Sequence, residues 1–328
     1  MTTTPVEQDV LPAAKVDLEH DVPAQAPETP LSVDEVSIFN QRAPFAVTDP
    51  LFGSAVILCD VVVGCSLSRG QRGIHMSRME VALGEASQGT GALASAAVLV
   101  ARQISGTQRM PAAWAHLSGE WVLTNQTRVT GLASRDRVVV GAAARLAPGA
   151  GRVEVSLSAT TMTACPCMQA YALDDLLAHF GHANGSPEEV AAARAAARVA
   201  VPVATHSQKG RVTVTVGVPS SDDPAAVPVP TYADLMDVIS AGTTLTSELL
   251  KRPDEYELVK RVHLRAQFVE DVVRDTAAAA ARHPRIAAEA TLTVAAESYE
   301  SIHGHDIQAR LTCPVSELRA QLGDAAPA

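Results

Sequence analysis

The sequence predicts an α+β fold of two tandem units, in which antiparallel sheets carry helices on one face. Three observations lead to this prediction. Strand-like and helical segments follow one another in the same order in both halves, and a helical segment separates the halves. The chain has 328 residues, enough for one large domain or two medium ones. No close sequence repeat is visible, so the duplication is inferred from element order alone.

The first unit is predicted over residues 40–200. It follows a leader at 1–39 that we expect to be mobile, because the leader is rich in proline, alanine, threonine and acid. A β-branched run at 55–69, AVILCDVVVGCSLSR, predicts a strand. Residues 73–106 favour helix but are interrupted by GTG, which predicts two helices or one broken helix. Strands return in AWAHLSGEWVLTNQTRV, DRVVVGAAARL and GRVEVSLSATTMTACP.

The second unit, predicted over 201–328, repeats this order. GRVTVTVGV alternates apolar and polar residues, as a half-buried strand does. The segments at 231–252 and 267–283 are typical of helices, and 289–311 returns to strands. Between the halves, SPEEVAAARAAARVA predicts a helix that begins at Ser186, with a proline in its first position and acids in its first turn.

Composition limits the function. The formal net charge of −10 disfavours nucleic-acid and anionic-membrane partners, so a phosphorylated ligand would need a local basic pocket. No apolar run reaches membrane-spanning length, and the first residues lack the pattern of a signal peptide. We therefore expect a cytoplasmic protein. Five cysteines form an odd set that suits a reducing compartment, which leaves metal binding or catalysis as their possible functions.

The densest chemical signal is Cys165-Pro166-Cys167. Thiolate is a strong ligand for zinc or ferrous iron, and without a metal it is a nucleophile. The alternative is that both cysteines are simply small, buried apolar side chains. In ATHSQKG, His206 can complete a metal site and Lys209 can meet phosphate. A lone histidine is more often structural.

Two further motifs are ambiguous when taken alone. His303 and His305 in SIHGHD would share one face of a strand, which suits ligation or proton transfer, or they are a solvated strand end. LLKRPDE is expected to end a helix at Pro253 and to expose its charged residues. Its Glu255 can nevertheless serve as an oxygen ligand.

The remaining candidates lie at helical segments. Glu270 and Arg274 have the i,i+4 spacing of a surface ion pair, but a carboxylate also matches the donors on the edge of guanine. RGIHMSRMEVAL places His75, Ser77 and Arg78 at the start of a helix, where the N-terminus favours binding of an anion. An ordinary amphipathic helix explains the segment equally well.

In this order, GIHMSR, CPC, THSQKG, LLKRPDE, FVEDVVR and ESIHGH resemble the motifs of the type IB GTP cyclohydrolase family, over roughly residues 45–312. The resemblance implies the tunnelling fold, with two β-β-α-α-β-β modules per subunit, in a homodimer or homotetramer with interfacial active sites. It implies hydrolysis of GTP at C8 of the purine with formate release, giving 7,8-dihydroneopterin triphosphate for folate biosynthesis. The archaeal branch of the family ends at a cyclic phosphate.

The resemblance also implies roles for individual residues. The metal ligands would be Cys165, His206 and Glu255. This donor set can hold zinc, iron(II) or manganese with water in an open position. The catalytic groups would be Cys167, His303 and His305, and which histidine transfers protons stays open. Glu270 would hold the guanine edge. The other substrate-binding candidates are His75, Ser77, Arg78, Lys209, Lys251 and Arg252.

Two departures from the family pattern keep alternatives open. Cys165 and His206 are 41 positions apart (206 − 165), a longer separation than in the bacterial enzymes. Residues 256–267 lack the threonine-glutamate and asparagine-proline expected after RPDE. The alternatives are therefore the archaeal activity, another tunnelling-fold enzyme with Cys167 as nucleophile, and a non-catalytic protein that binds a pterin or deazapurine.

Overall fold

The computed structural model describes residues 21–149, 151–182, 184–200, 205–219 and 229–324. Its centre is one nine-stranded sheet, in the order β3-β1-β2-β4-β5-β6-β7-β8-β9. The strands are β1 (Val33–Asp49), β2 (Gly53–Leu67), β3 (Thr90–Gly91), β4 (Ala113–Gln126), β5 (Ala133–Leu146), β6 (Arg152–Ala164), β7 (Ser207–Pro219), β8 (Thr291–Ser298) and β9 (Ile307–Pro314). Neighbouring strands are antiparallel, except that β3 runs parallel to β1.

Eight α-helices accompany the sheet within the described residues. They are α1 (Met76–Ser87), α2 (Leu93–Gln108), α3 (Pro166–His179), α4 (Pro187–Ala200), α5 (Tyr232–Gly242), α6 (Arg252–Leu264), α7 (Val269–Arg282) and α8 (Val315–Asp324). A short 3-10 helix covers Val22–Ala24. In the described part of the chain, no helix has the length and apolar character needed to cross a membrane.

The predicted α+β class, with two tandem modules that each place helices between two pairs of antiparallel strands, is confirmed. The first module runs β1-β2-α1-α2-β4-β5, and the second runs β6-β7, then α5 to α7, then β8-β9. Helices α3 and α4 form an insertion between the two strands of the β6-β7 pair. This element order favours a module boundary in the loop between β5 and β6. The predicted boundary at residue 200 lies between α4 and β7 and stays a prediction.

Several predicted elements need correction. The predicted leader 1–39 is too long, because its last seven residues, 33–39, belong to β1. Residues 1–20 lie outside the described residues. The helix predicted over 231–252 ends at Gly242. LLKRPDE begins helix α6 at Arg252 instead of ending one, with Pro253 in the first turn, where a missing N–H has no cost. Helices α3 and α8 were not predicted.

One face of the sheet forms the core. Alternate side chains of β1, β2 and β4 to β8 join apolar residues of α1, α2, α5 and α7 in a single buried cluster. Cys59 and Cys65 of β2 belong to this cluster, and burial raises their pKa values to about 12 and about 11. Both thiols therefore stay protonated and act as small apolar side chains.

Two buried aspartates join the modules. Asp49, at the end of β1, accepts hydrogen bonds from the N–H groups of Tyr232 and Ala233 and so binds the first turn of α5, whose N-cap residue is Thr231. Asp254 of α6 accepts hydrogen bonds from the N–H groups of Val129 and Thr130 in the β4-β5 loop. Helix α6 and this loop are thereby held at a fixed separation.

Candidate functional site

Cys165 and His206 meet at the base of the insertion. Cys165 follows the last residue of β6 and caps α3, and His206 immediately precedes β7. The N–H of Cys165 donates to the carbonyl oxygen of His206 (3.1 Å), and the Thr205 hydroxyl donates to the carbonyl oxygen of Cys165 (3.1 Å). Antiparallel pairing of β6 with β7 therefore brings together two residues that the sequence separates.

The His206 ring is oriented by Gln208. Nδ1 of His206 lies 3.0 Å from Oε1 of Gln208, which is 8% exposed, and 3.4 Å from the Ser301 hydroxyl. A carboxamide oxygen only accepts, so the tautomer of His206 with its proton on Nδ1 satisfies this contact. The lone pair of Nε2 is then left for a ligand.

Two further imidazoles stand beside His206. The ring centroids of His206 and His303 are 6.2 Å apart, and His303 stacks on His305 at 5.6 Å with an interplanar angle of 20°. Both residues lie in the loop between β8 and β9, so the strand predicted there is wrong. The loop, held by a hydrogen bond from the N–H of Glu300 to Asp306, brings the two rings together instead.

A buried histidine connects the segments around this cluster. His263 of α6 directs Nδ1 to the carbonyl oxygen of Val259 (2.7 Å), and its own carbonyl oxygen accepts from Nε2 of Gln169 on α3 (2.6 Å). Its Nε2 lies 3.5 Å from the carbonyl oxygen of Thr205. Both His263 and Gln169 are 7% exposed. Helices α3 and α6 are thus fixed to the chain just before His206.

Glu255 lies in the first turn of α6 and is exposed. One turn later, Leu258 packs in a small apolar cluster with Ala164, the residue before Cys165. Lys251 and Arg252 flank the same helix start and are also exposed. The structure therefore places the start of α6 on the Cys165 side of the sheet.

Asp254, which the sequence predicted to be exposed, is 2% exposed. Burial by itself would raise its pKa. Hydrogen bonds from the Thr130 hydroxyl and from the N–H groups of Thr130, Val129 and Lys251 outweigh burial and hold the pKa of Asp254 well below its usual range. The ionised carboxylate thus serves as an anchor, and the adjacent Glu255 is left for other roles.

Cys167 and Glu270 each lie in the first turn of a helix, α3 and α7 respectively, and both are exposed. The i,i+4 ion pair considered for Glu270 does not form, because Arg274 binds Asp271 instead (2.8 Å). Within the described residues the Glu270 carboxylate has no ion-pair partner. It is available to a ligand.

The residues at the start of α1 lie apart from this cluster. Nε2 of His75 contacts Asp21 (2.8 Å), and this hydrogen bond lowers the pKa of Asp21. Arg78 donates to the carbonyl oxygen of Thr107, and Ser77 borders a separate pocket with it. Helix α1 packs on α2 and β1, and β1 lies four strands from β6, about 19 Å at the usual strand spacing. A single chain does not bring this group to Cys165.

The donor set fits a transition metal in its chemistry. Thiolate, imidazole and carboxylate together suit zinc, iron(II) or manganese. With the proton of His206 on Nδ1, the lone pair of Nε2 can bind such an ion. Among the described residues, no three His, Cys, Asp or Glu side chains are placed to hold an ion together. Cys165 and His206 are neighbours through a backbone hydrogen bond, without a third candidate ligand placed beside both side chains in the described part of the chain.

Comparison with known proteins identifies the family. A family model described as "Type I GTP cyclohydrolase folE2" matches residues 20–309. The chain belongs to this family of GTP cyclohydrolases. The match covers the first module and, except for the end of β9 and helix α8, the second module with its insertion.

Several relatives of this cyclohydrolase family member are archaeal proteins named "GTP cyclohydrolase MptA". The Haloferax volcanii protein is 25% identical over 92% of this chain and 97% of its own length. The Aeropyrum pernix protein is 29% identical over 92% and 98%. The Thermoplasma acidophilum protein is 37% identical, but over 51% of this chain and 52% of its own length. Among solved structures, a uricase from Arthrobacter globiformis aligns over 85% of this chain and 93% of its own, with 7% identity and a TM-score of 0.45.

Sequence reasoning missed the residues that hold the site together. Gln208 could have been found, since it lies two residues from His206, the spacing at which strand side chains share a face. Gln169, His263 and Asp254 gave no such signal, because their partners lie in other segments of the chain.

Proposed function

We propose that this protein is a metal-dependent GTP cyclohydrolase of type IB. It hydrolyses GTP at C8, releases formate and gives 7,8-dihydroneopterin triphosphate. The observation that carries the proposal is the meeting of Cys165 and His206 at the ends of β6 and β7, with His303 beside them. A binding protein would need Glu270 for the base, but it would not need a thiol and an oriented imidazole at the same place.

Each group has a definite task in this proposal. Cys165, His206 and Glu255 hold a divalent ion, which supplies a Lewis acid and an acidified water when bound. Glu270 accepts hydrogen bonds from the guanine edge. His303 and His305 exchange protons with the opened ring and the departing formyl group, and Cys167 lines the site. The basis for the histidine role is the stacked pair of exposed rings near His206.

The distance from α1 to Cys165 favours an assembly. His75, Ser77 and Arg78 contribute to substrate binding only if another copy of the chain presents its α1 start to this site. We therefore propose a homodimer or homotetramer with interfacial sites, in the cytoplasm. Analytical ultracentrifugation of the purified protein tests the assembly, and a monomer that turns over GTP would contradict it.

A second product is favoured by one specific observation. The relatives named above are MptA proteins. The resemblance seen in the sequence implies that the archaeal branch of the family ends at a cyclic phosphate. The same site would then make the cyclic product from the same ring-opened intermediate. Mass spectrometry of the anaerobic reaction with GTP separates the triphosphate product from the cyclic one.

The metal assignment is tested with Cys165→Ala. We expect this variant to lose bound metal and formate release together, while its circular dichroism spectrum stays unchanged. Cys313→Ala is the matched control, because Cys313 lies on β9, away from the proposed site. A Cys165→Ala protein that is active and replete with metal would contradict the assignment.

A further inference from the structure

A closed network of polar contacts begins and ends at Cys165. Its carbonyl oxygen accepts from the hydroxyl group of Thr205 (3.1 Å) and from the N–H of Gln169 (3.2 Å). The Gln169 side chain donates through Nε2 to the carbonyl oxygen of His263 (2.6 Å). The His263 ring returns to Thr205, with Nε2 3.5 Å from its carbonyl oxygen. The network therefore joins the start of α3, the end of α6 and the residue before His206.

The contact between α3 and α6 satisfies a group that would otherwise lack a partner. The carbonyl oxygen of His263 lies in the last turn of α6, where carbonyl groups have no donor within the helix. Gln169 supplies the donor, and both residues are 7% exposed, so loss of the amide would leave a buried acceptor unpaired. The His263 ring is also held by its own helix, because Nδ1 donates to the carbonyl oxygen of Val259 (2.7 Å).

Helix α6 is held at both ends. Asp254 fixes its first turn to the loop between β4 and β5, and His263 fixes its last turn to the chain before β7. Between these points, apolar residues of α6 pack against Ala164. Apolar contacts have no preferred direction, so the polar contacts at the two ends set the rotation and shift of the helix. Glu255 in the first turn is thereby placed by contacts that it does not make itself.

The network joins all three elements that carry the proposed metal ligands. Cys165 begins α3, His206 precedes β7, and Glu255 lies on α6. The first two also meet directly, since the N–H of Cys165 donates to the carbonyl oxygen of His206 (3.1 Å). Groups outside the ligand set that orient the ligands typically change metal affinity about 10- to 100-fold when they are removed.

We propose that Gln169 and His263 are positioning residues for the proposed metal site. They hold the backbone of Cys165 and of the residue before His206, and so set the directions of the thiol and the imidazole before an ion binds. The proposal rests on the metal-dependent function proposed above. A purely structural role for the same contacts predicts lost stability without a specific loss at the metal site.

The full-length variants Gln169→Met and His263→Phe remove the polar contacts and keep side chains of similar size. Tyr232→Phe is the matched control, because Tyr232 is 4% exposed and its hydroxyl donates to the carbonyl oxygen of Gly141 (3.0 Å). Gly141 pairs with Ser156, which lies 9 residues (165 − 156) before Cys165, about 30 Å along β6. Thermal unfolding should show a similar fall in Tm for all three variants, since each loses a buried hydrogen bond to a carbonyl group.

The first readout needs no metal. Hydrogen exchange at the N–H of Cys165, followed by mass spectrometry of a peptide that contains it, reports whether its bond to His206 is kept. Exchange should be about tenfold faster in Gln169→Met and His263→Phe, because local opening becomes easier there. In Tyr232→Phe it should match the wild type.

The second readout is the metal site. Competition with a chromophoric chelator gives the zinc affinity, and the thiolate-to-cobalt charge-transfer band reports the direction of the thiol. Both variants should bind zinc about tenfold more weakly or worse and show an altered cobalt band, whereas the control should keep both properties. The double variant should bind zinc about as weakly as the weaker single variant, because either change opens the same network.

Wild-type zinc affinity and a wild-type cobalt band in both variants would overturn the proposal. Losses that Tyr232→Phe shares, or losses that add in the double variant, would overturn it as well. A wild-type protein that binds zinc without releasing formate from GTP would contradict the proposed function, while the zinc and exchange measurements still judge the positioning role. A wild-type protein that binds no metal would overturn both.

Discussion

The orientation of His206 by Gln208 can be tested directly with Gln208→Leu. Leucine is apolar, and its side chain is close in size to that of glutamine, so it can fill this buried position. The substitution removes the oxygen that lies 3.0 Å from Nδ1 of His206. A buried neutral hydrogen bond stabilises by about 1 kcal/mol, and loss of the group that orients a ligating histidine typically weakens metal binding about 10- to 100-fold. We expect a loss in that range, about 1.4 to 2.7 kcal/mol of binding free energy.

The assay is a titration of metal-free protein with zinc in competition with a chromophoric chelator. Nitrogen NMR of the His206 ring reports the proton position independently of any metal. Gln308→Leu on β9 is the control, because Gln308 is exposed. A wild-type ring that carries its proton on Nε2, or a Gln208→Leu protein with unchanged zinc affinity, would refute the reasoning.

Three further predictions concern stability. A Cβ at Gly242 would lie 2.5 Å from Cα of Thr276 on α7. Gly242→Ala should therefore lower the free energy of unfolding, measured with urea, by about 1–3 kcal/mol. Gly106→Ala is the control: its Cβ would have no neighbour within 4 Å, so the substitution should raise the free energy of unfolding by up to about 1 kcal/mol. The lowered pKa of Asp254 means that its ionised form stabilises the fold fully above the ordinary value of 3.8 and progressively less as the pH falls below it. Between pH 5 and pH 3 the wild type should therefore lose more stability than Asp254→Asn. Asp49→Ala removes the acceptor of two N–H groups in the first turn of α5, whose N-cap Thr231 stays in place, and should lower the free energy of unfolding by about 1–2 kcal/mol; an unchanged value would contradict this contribution.

Element type was predictable where the apolar pattern is local. The alternation in GRVTVTVGV gives β7, and the GTG break gives separate helices α1 and α2. Helix α6 was missed because its sequence is polar, and because Asp254, Leu258 and His263 contact partners that are distant along the chain. Propensity cannot report such contacts.

The candidate site was predictable only in part, for the same reason. The motif order singled out Cys165 and His206, and the β6-β7 pairing places them together. The meeting of Arg128 and Arg261 at Glu257 could not be predicted, since Arg128 lies in the loop between β4 and β5 and Arg261 lies on α6. No sequence spacing links residues that tertiary contacts alone bring together.

The position of the insertion has a consequence for how such chains can diverge. Cys165 and His206 are joined by a backbone hydrogen bond at the point where the insertion leaves and rejoins the sheet. Closing a longer loop costs only about 0.6 kcal/mol for each doubling of its length. The segment between them can therefore grow, shrink or acquire new surface residues with little effect on the spacing of the two side chains. Mutational drift in α4 is thus insulated from the spacing of Cys165 and His206, whereas α3 also carries Gln169, which binds the carbonyl oxygen of His263.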